Sequence, residues 1–204
     1  MRVSGWDGVR WAVLGGAVGL VCAAAAPAVA PPPVAPPAVG RTVDVRHAPV
    51  PSVGGPGAAP VRLRIPVLRI DAPVRAVATG PAGDLGVPDD PQVIGWWAAG
   101  GAPGVPGAAG VLDGHVDSAA HGPGALFHLA ALVPGDVVAV VTAQGAVVAY
   151  AVQEVHRFPK TAFRADLLTP GGAPRLVVVT CGGVFDRATR NYEDNVVVVA
   201  VPVS

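Results

Sequence analysis

The chain has 204 residues, a formal net charge of zero, abundant glycine (27) and proline (23), and few aromatic side chains. This length holds one core of ordinary size plus appended segments, and the neutral balance gives no electrostatic basis for binding nucleic acid. Only two cysteines are present, Cys22 and Cys181, and no cysteine–histidine cluster has the spacing of a structural zinc site.

The first thirty residues have the pattern of an export segment. Arg2 and Arg10 precede an uncharged run from Trp11 to Ala26, and Ala28-Val29-Ala30 resembles a small-residue cleavage site. The pattern predicts a signal peptide or an N-terminal membrane anchor over residues 1–30 and leaves that choice open, with a buried helix as a weaker alternative. In either favoured case we expect the protein to act outside the cytoplasm, at the extracytoplasmic face of the membrane or secreted.

Residues 31–60 form the next segment, which is rich in proline and glycine. It contains Pro31-Pro32-Pro33, Pro36-Pro37 and Gly54-Gly55-Pro56-Gly57. This composition cannot bury a core and favours extended polyproline II with flexible breaks. We interpret the segment as a linker between the export segment and a folded domain at residues 61–204.

From residue 61 the pattern changes to short apolar runs separated by turn residues, with little helix. The best helical turn is at 125–132. About eight strands so spaced predict an all-β domain, a closed or nearly closed β-barrel. The runs that predict strands are 61–65, 66–74 (two short pieces), 93–97, 110–115, 136–142, 146–153, 176–180 and 195–201.

Cys181 follows the most apolar of these runs. Leu176 to Thr180 is a continuous, mainly apolar run rich in β-branched residues, as in a strand that is covered on both faces. Gly182-Gly183 is expected to end the strand, so that Cys181 lies at a strand end with rigid backbone and open access, as a reactive thiol requires. On position alone, a small buried hydrophobe is the commoner fate of a free cysteine.

His115 ends an earlier predicted strand, in Leu112-Asp113-Gly114-His115. Two strand ends of one barrel can converge although these two residues are 66 positions apart (181 minus 115). A cysteine with a distant histidine is the usual makeup of a nucleophilic thiol site, in which the imidazole favours the thiolate and later supplies a proton. A metal site of His115, Asp117 and His121 is an alternative, although it lacks a further ligand and a rigid frame.

A cation that holds the oxyanion or the substrate backbone would complete such a site. Arg187 and Arg190 lie between the predicted strand of Cys181 and the last strand. We expect one of them to fold back over the thiol, and we favour Arg190 because Arg187 follows Asp186 and can pair with it.

Together these features resemble the sortases. Gly-His-Val-Asp-Ser and Thr-Cys-Gly-Gly-Val-Phe-Asp, followed by Asn-Tyr-Glu-Asp-Asn-Val-Val-Val, are similar to class F sortases of high-GC Gram-positive (actinobacterial) bacteria, over about residues 61–204. The resemblance implies an eight-stranded sortase-like β-barrel with short helices, Cys181 as the nucleophile that forms an acyl-thioester, and His115 as proton donor and acceptor.

Many sortases carry an arginine at the start of the final strand, where this chain has Asn195, so the arginine is expected to be Arg190 or Arg187. We expect Thr180 and Asn195 to contact the substrate.

The activity that this resemblance implies is that of a cysteine transpeptidase. It would cleave a C-terminal Leu-Pro-x-Thr-Gly-like sorting signal of a secreted protein and transfer that protein to an amine of a peptidoglycan cross-bridge or lipid-linked precursor. No metal, cofactor or nucleic acid is expected, and the chain is expected to act as a monomer. The alternatives are another extracellular cysteine peptidase, a metal-dependent hydrolase, and a non-catalytic, membrane-tethered β-barrel that binds peptides or cell-wall polymer.

Overall fold

The computed structural model describes residues 58–80 and 85–203. The predicted export segment at residues 1–30 and nearly all of the predicted linker lie outside these ranges. Five single-turn 3-10 helices are present, at Pro66–Leu68, Ala98–Gly100, Leu129–Ala131, Lys160–Ala162 and Ala165–Leu168. The strands of this region are β1 (Pro60–Ile65), β2 (Ile70–Val77), β3 (Ile94–Trp97), β4 (Ala109–Gly114), β5 (Asp117–Ser118), β6 (Gly122–Pro123), β7 (Val137–Thr142), β8 (Val147–Pro159), β9 (Arg175–Asp186) and β10 (Asn191–Pro202).

Eight of these strands close into a barrel in the order β1-β2-β3-β4-β9-β10-β8-β7, while β5 and β6 form a separate two-stranded sheet. Most neighbouring pairs are antiparallel, but β2 with β3 and β4 with β9 are parallel. Each barrel strand overlaps one of the predicted runs. The predicted all-β, eight-stranded barrel is therefore confirmed.

Aliphatic side chains from alternate strand positions fill the barrel interior, because successive side chains of a strand point to opposite faces. Leu176 and Val178 of β9 belong to this inner core, as do Val196 and Val198 of β10. The residues between them form a second cluster on the outer face, namely Val177, Val179, Val197 and Val199 with Phe158, Phe163, Leu167 and Leu168 packed against them. Both faces of β9 and β10 are thus covered, which explains their continuous apolar sequences.

Two local expectations differ from the structure. The piece at 66–74 contains a 3-10 turn, Pro66–Leu68, before β2 begins at Ile70. The predicted helical turn at 125–132 reduces to one 3-10 turn at Leu129–Ala131. Across residues 58–80 and 85–203, helices are all too short or too polar to cross a membrane.

The expectation that Gly182-Gly183 ends the strand of Cys181 is wrong. β9 continues to Asp186 and remains paired with β10 up to Asn191. The register shifts between Tyr192 and Asp194, which places two residues of β9 opposite one of β10. Such a bulge favours glycine in a left-handed conformation, and Gly183 has φ +80°. The glycine pair therefore bends the strand and does not break it.

Candidate active site

The register of the parallel pair β4 and β9 sets Cys181 beside His115. Gly114, the last residue of β4, is aligned with Thr180, so the next residue of each chain segment follows side by side. Thr180 Oγ1 donates a hydrogen bond of 2.8 Å to the Gly114 carbonyl oxygen, which fixes this alignment. Neighbouring strands lie about 4.8 Å apart, and the two residues predicted to act together are therefore neighbours at one rim of the barrel.

Alternation along β9 determines which way Cys181 points. Val178 faces the inner core and Val179 the outer cluster, so Thr180 turns inward and Cys181 outward. Thr180 is only 4% exposed, whereas Cys181 is a free, half-buried thiol. The hydroxyl of Thr180 is engaged in holding β4, and its predicted contact with substrate stays a prediction.

The imidazole of His115 has a defined hydrogen-bond partner. Its Nε2 lies 2.8 Å from the carbonyl oxygen of Pro88. A carbonyl oxygen can only accept, so Nε2 carries a proton, and in the neutral ring Nδ1 is the acceptor. The backbone is held as well, because Leu126 N donates to the His115 carbonyl oxygen. His115 can therefore take up or release a proton at Nδ1 while its ring stays anchored.

The cation at the thiol is a lysine. Lys160 Nζ donates to Cys181 Sγ at 3.4 Å and to Asn191 Oδ1 at 2.5 Å. Lys160 directly follows β8, whose last residue, Pro159, pairs with Asp194 of β10. An ammonium group at this distance stabilises the negative charge of a thiolate. The motifs around Cys181 and His115 gave no reason to expect Lys160; the available signal was its place just after a strand that pairs with β10.

The two arginines lie at the tip of the β9–β10 hairpin. Arg187 and Arg190 are exposed and belong to the four-residue turn that joins the two strands. Both strands stay paired up to this turn. Asn191, the first residue after the turn, shares the Lys160 ammonium with the thiol, so the hairpin bends toward Cys181, and the expectation that the loop folds back over the thiol stays a prediction. Neither arginine lines the cavity beside Cys181, and their catalytic role stays a prediction.

The expected ion pair of Arg187 with Asp186 is also absent from the hydrogen bonds at this turn. The Asp186 carboxylate instead accepts bonds from the Ala188 backbone N–H and the Thr189 hydroxyl. These bonds lower the pKa of Asp186, with the Thr189 bond the larger cause. The carboxylate thus caps its own turn.

A cavity of about 680 Å³ opens beside Cys181. Its floor is the outer face of β3, β4, β9 and β10, and its walls come from Thr79, Leu85 and Val87 and from the segment 160–170. Asn195, which is aligned with Cys181 across the β9–β10 pair, lines it together with Lys160 and Cys181. Its apolar surface is formed by Leu85, Val87, Trp97, Phe163, Leu168 and Val179. A cavity of this size, mostly apolar and with a few polar groups at one side, is typical of a ligand site.

A second contact ties the hairpin to the segment that follows His115. Tyr192 donates from its hydroxyl to Asp117 Oδ2, at 2.5 Å. This bond raises the pKa of Tyr192 to about 12, so the hydroxyl stays protonated. Asp117 was one of the proposed metal ligands, and within the ranges that the structure describes no group of three or more histidine, cysteine or acidic side chains is placed to hold a metal ion.

Comparison with known proteins supports the same family that the motifs suggested. A family model described as the sortase domain matches residues 63–203. No match was found among curated proteins. The solved structures that resemble the chain include sortase C-1 from Actinomyces oris, at 20% identity and a TM-score of 0.54, covering 70% of this chain and 73% of that one.

Two further solved structures are similar in fold. Sortase A from Corynebacterium diphtheriae is 18% identical, with a TM-score of 0.53 over 74% of this chain and 63% of that chain. Sortase C2 of Pilus Island 1 from Group B Streptococcus is 16% identical, with a TM-score of 0.55 over 70% and 73%. At these identities the likeness concerns the fold.

Proposed function

Because the chain belongs to the sortase family, whose members are cysteine transpeptidases, we propose that it cleaves a C-terminal Leu-Pro-x-Thr-Gly-like sorting signal and transfers the protein to a cell-wall amine. The observation that carries this proposal is the β4–β9 register, which sets Cys181 beside His115 at the rim of a peptide-sized cavity. A cysteine and a histidine at adjacent strand ends are the two groups that acyl transfer through a thioester needs.

The first half of the reaction forms the acyl-enzyme. The Cys181 thiolate attacks the carbonyl carbon of the Thr–Gly bond, a C–S bond forms, and the electron pair moves to the carbonyl oxygen. When this tetrahedral intermediate collapses, the C–N bond breaks and His115 gives a proton to the leaving glycine amine. The ring can do this at Nδ1 while Nε2 remains on the Pro88 carbonyl oxygen.

The second half releases the product. An amine of the cell wall attacks the thioester carbon, a C–N bond forms, and the C–S bond breaks to return the thiolate. His115 takes the proton that the attacking amine loses, so the enzyme ends the cycle as it began. No redox partner or metal enters this balance.

We assign to Lys160 the stabilisation of the negative charge that the sulfur and the carbonyl oxygen carry in these steps. Its ammonium is hydrogen-bonded to the sulfur in the resting protein, and a donor that already faces the thiol costs little to reorganise when charge develops there. Asn195, which flanks Cys181 from β10, is proposed to contact the substrate backbone. Arg190 and Arg187 are the alternatives to Lys160, and their separate replacement by alanine distinguishes the two assignments.

The remaining features of the proposal rest on sequence. The strings around His115 and Cys181 support the class F assignment, and the basic, apolar pattern of residues 1–30 supports a position outside the cytoplasm. The partners would be secreted proteins with a sorting signal and a peptidoglycan cross-bridge or lipid-linked amine. The protein is proposed to work as a monomer.

The test is turnover of a quenched Leu-Pro-x-Thr-Gly peptide library by the full chain, with and without an added amine such as triglycine. We expect cleavage that accelerates with the amine and yields a transpeptidation product detected by mass spectrometry. Cys181→Ala and His115→Ala are expected to abolish both. Peptide cleavage that survives in the Cys181→Ala variant would refute the proposal, as would a wild-type chain that turns over no peptide of the library.

A further inference from the structure

Asp113 is a buried carboxylate that the proposed mechanism does not use. It precedes Gly114 at the end of β4, and its neighbour Leu112 belongs to the inner core, so Asp113 faces the outer surface of the barrel. It is aligned with Val179 of β9, on the same face as Cys181. Asp113 lines the cavity beside the thiol although it is only 4% exposed.

Neither carboxylate oxygen of Asp113 has a hydrogen-bond partner among the described residues. Burial raises the pKa of this carboxyl to about 7. A buried acceptor without a donor is costly, and such groups in folded proteins call for an explanation. A ligand that brings donors to Asp113 would remove that cost.

The neighbouring strand leaves room for this carboxylate. Gly95 of β3 is aligned with Asp113, and a Cβ at residue 95 would collide with Asp113 Oδ1. The sequence therefore places a glycine where any other side chain would displace the acid from its position. This is an arrangement that keeps a carboxylate in the cavity wall.

The chemistry of the cavity favours one class of ligand. Two unpartnered oxygens need at least two N–H donors, and only a cation also compensates the charge of an ionised carboxylate. The walls beside Asp113 are apolar, including Leu85, Trp97 and Val179, which suits an aliphatic stem. Lys160 is the one lysine or arginine among the described residues that line the cavity, and its ammonium is already bound to the sulfur and to Asn191.

The direction of the substrate follows from the proposed function, on which this step rests. His115 protonates the leaving amine, so the leaving group lies on the His115 side of the thiol. Asp113 lies two residues earlier on β4 and lines the cavity, whereas His115 is not among the lining residues. The part of the substrate that fills the cavity and reaches Asp113 is therefore the acyl side. We propose that Asp113 forms an acidic subsite that binds an alkylammonium side chain of the substrate, such as lysine, N-terminal to the scissile bond.

The first test compares peptides in which lysine or norleucine occupies each position on the acyl side of the sorting signal. Norleucine keeps the aliphatic stem and lacks the ammonium group. At one position we expect the full wild-type chain to prefer lysine by at least about tenfold in kcat/KM, and we expect this ratio to fall to near one in Asp113→Asn. The exposed carboxylate of Asp89 supplies the matched control, because Asp89→Asn should keep the preference. Equal ratios at every position in the wild-type chain, or a preference that survives in Asp113→Asn, would overturn the subsite.

A second test does not depend on turnover. n-Hexylammonium chloride and n-hexanol share a stem, and only the amine should raise the midpoint of thermal unfolding of the wild-type chain at pH 8. The effect should fade at pH 5, where Asp113 is protonated, and should be absent in Asp113→Asn while Asp89→Asn retains it. The Asp113→Asn variant is needed because Cys181 and Lys160 in the cavity and His115, just after β4, are the other ionisable groups near this site. An amine effect without peptide cleavage would leave the subsite standing and refute the transpeptidase, whereas cleavage with no amine effect would do the reverse.

Discussion

Lys160 shows how one side chain connects parts of the site that are separate in sequence. It follows β8, and its ammonium bridges the thiol on β9 and Asn191 at the start of β10. A hydrogen bond from a charged donor contributes roughly 1.5–3 kcal/mol. The side chain is therefore positioned to affect both the reactivity of Cys181 and the geometry of the hairpin beside it.

We expect Lys160→Gln to lower kcat/KM for a cleaved peptide by about 10- to 100-fold, because the thiolate and the oxyanion lose a charged donor. Lys160→Arg should restore part of the loss. Alkylation of Cys181 by iodoacetamide at pH 7 should slow in parallel, a change that a merely structural role would not produce. Arg187→Ala and Arg190→Ala serve as comparisons, and a loss of turnover confined to one of them would return the cationic role to that arginine.

Asp113 makes stability depend on pH in an unusual direction. Its pKa is raised from 3.8 in the unfolded chain to about 7 in the folded protein, so the folded state holds the proton more tightly. The stabilisation of the folded state relative to Asp113→Asn is therefore complete below pH 4 and is lost as the pH rises through 7. One pKa unit corresponds to about 1.4 kcal/mol, which gives an upper limit on the order of 4 kcal/mol. Urea denaturation of both proteins from pH 4 to 8 measures this, and parallel stability curves would contradict it.

At this scale the sequence indicated Cys181 and His115 because each follows an apolar strand and the thiol chemistry needs both. Lys160 could not be found in this way, since its contact with the sulfur depends on how the segment after β8 folds over β9. Asp113 was visible inside the His115 motif. An acidic residue within an apolar predicted strand is unusual and could have drawn attention to it. Its proposed role as a subsite could be inferred only from the cavity and from Gly95 on the neighbouring strand.

The β9–β10 hairpin is the element that carries the thiol. It extends beyond the barrel because β4 stops at Gly114 while β9 continues to Asp186. A glycine pair usually indicates a turn, and this is why the strand end was misplaced. The bulge at Gly183 and the cross-link from Tyr192 to Asp117 instead set the angle at which the hairpin leaves the barrel.

Replacing Gly183 of this hairpin, and Gly145 in the turn between β7 and β8, separates backbone strain from collision. Gly183 and Gly145 have nearly the same positive φ, +80° and +81°, but a Cβ at Gly183 would strike the Asp194 carboxylate, whereas Gly145 has nothing within 4 Å. We expect Gly145→Ala to cost about 1–2 kcal/mol from the left-handed backbone alone. Gly183→Ala should cost about 2–4 kcal/mol, because the collision adds to that strain. Free energies of unfolding in urea test this, and equal costs would show that Asp194 moves aside freely.

Across the whole molecule, β9 and β10 separate two apolar layers with different tasks. The inner layer, which includes Leu176, closes the barrel, and the outer layer fixes the segment after β8 over the strands. Phe163 belongs to the outer layer and also lines the cavity. The all-β barrel was predictable from the spacing of apolar runs, but the outer layer was not, because residues 160–170 have no periodic pattern.

Substitutions in the two layers should therefore have different effects. Leu176→Ala should lower the free energy of unfolding by about 2–5 kcal/mol, because it leaves a void in a fully buried core. Phe163→Ala should destabilise the barrel less but raise KM for the peptide, because it removes one wall of the cavity. Urea denaturation and steady-state kinetics on both variants provide the measurements. A Phe163→Ala variant with unchanged KM would show that this wall does not contact the substrate.

The parallel alignment of β4 with β9 has a consequence for errors in folding. Because a strand exposes alternate residues on opposite faces, a slip of β9 by a single position would rotate the sulfur of Cys181 into the hydrophobic interior and bring Thr180 to the surface. A mispaired molecule would then be unreactive, because its thiol would be buried and could not attack the carbonyl group of any other protein. The alternation that exposes the thiol in the correct register would thus bury it in the slipped register.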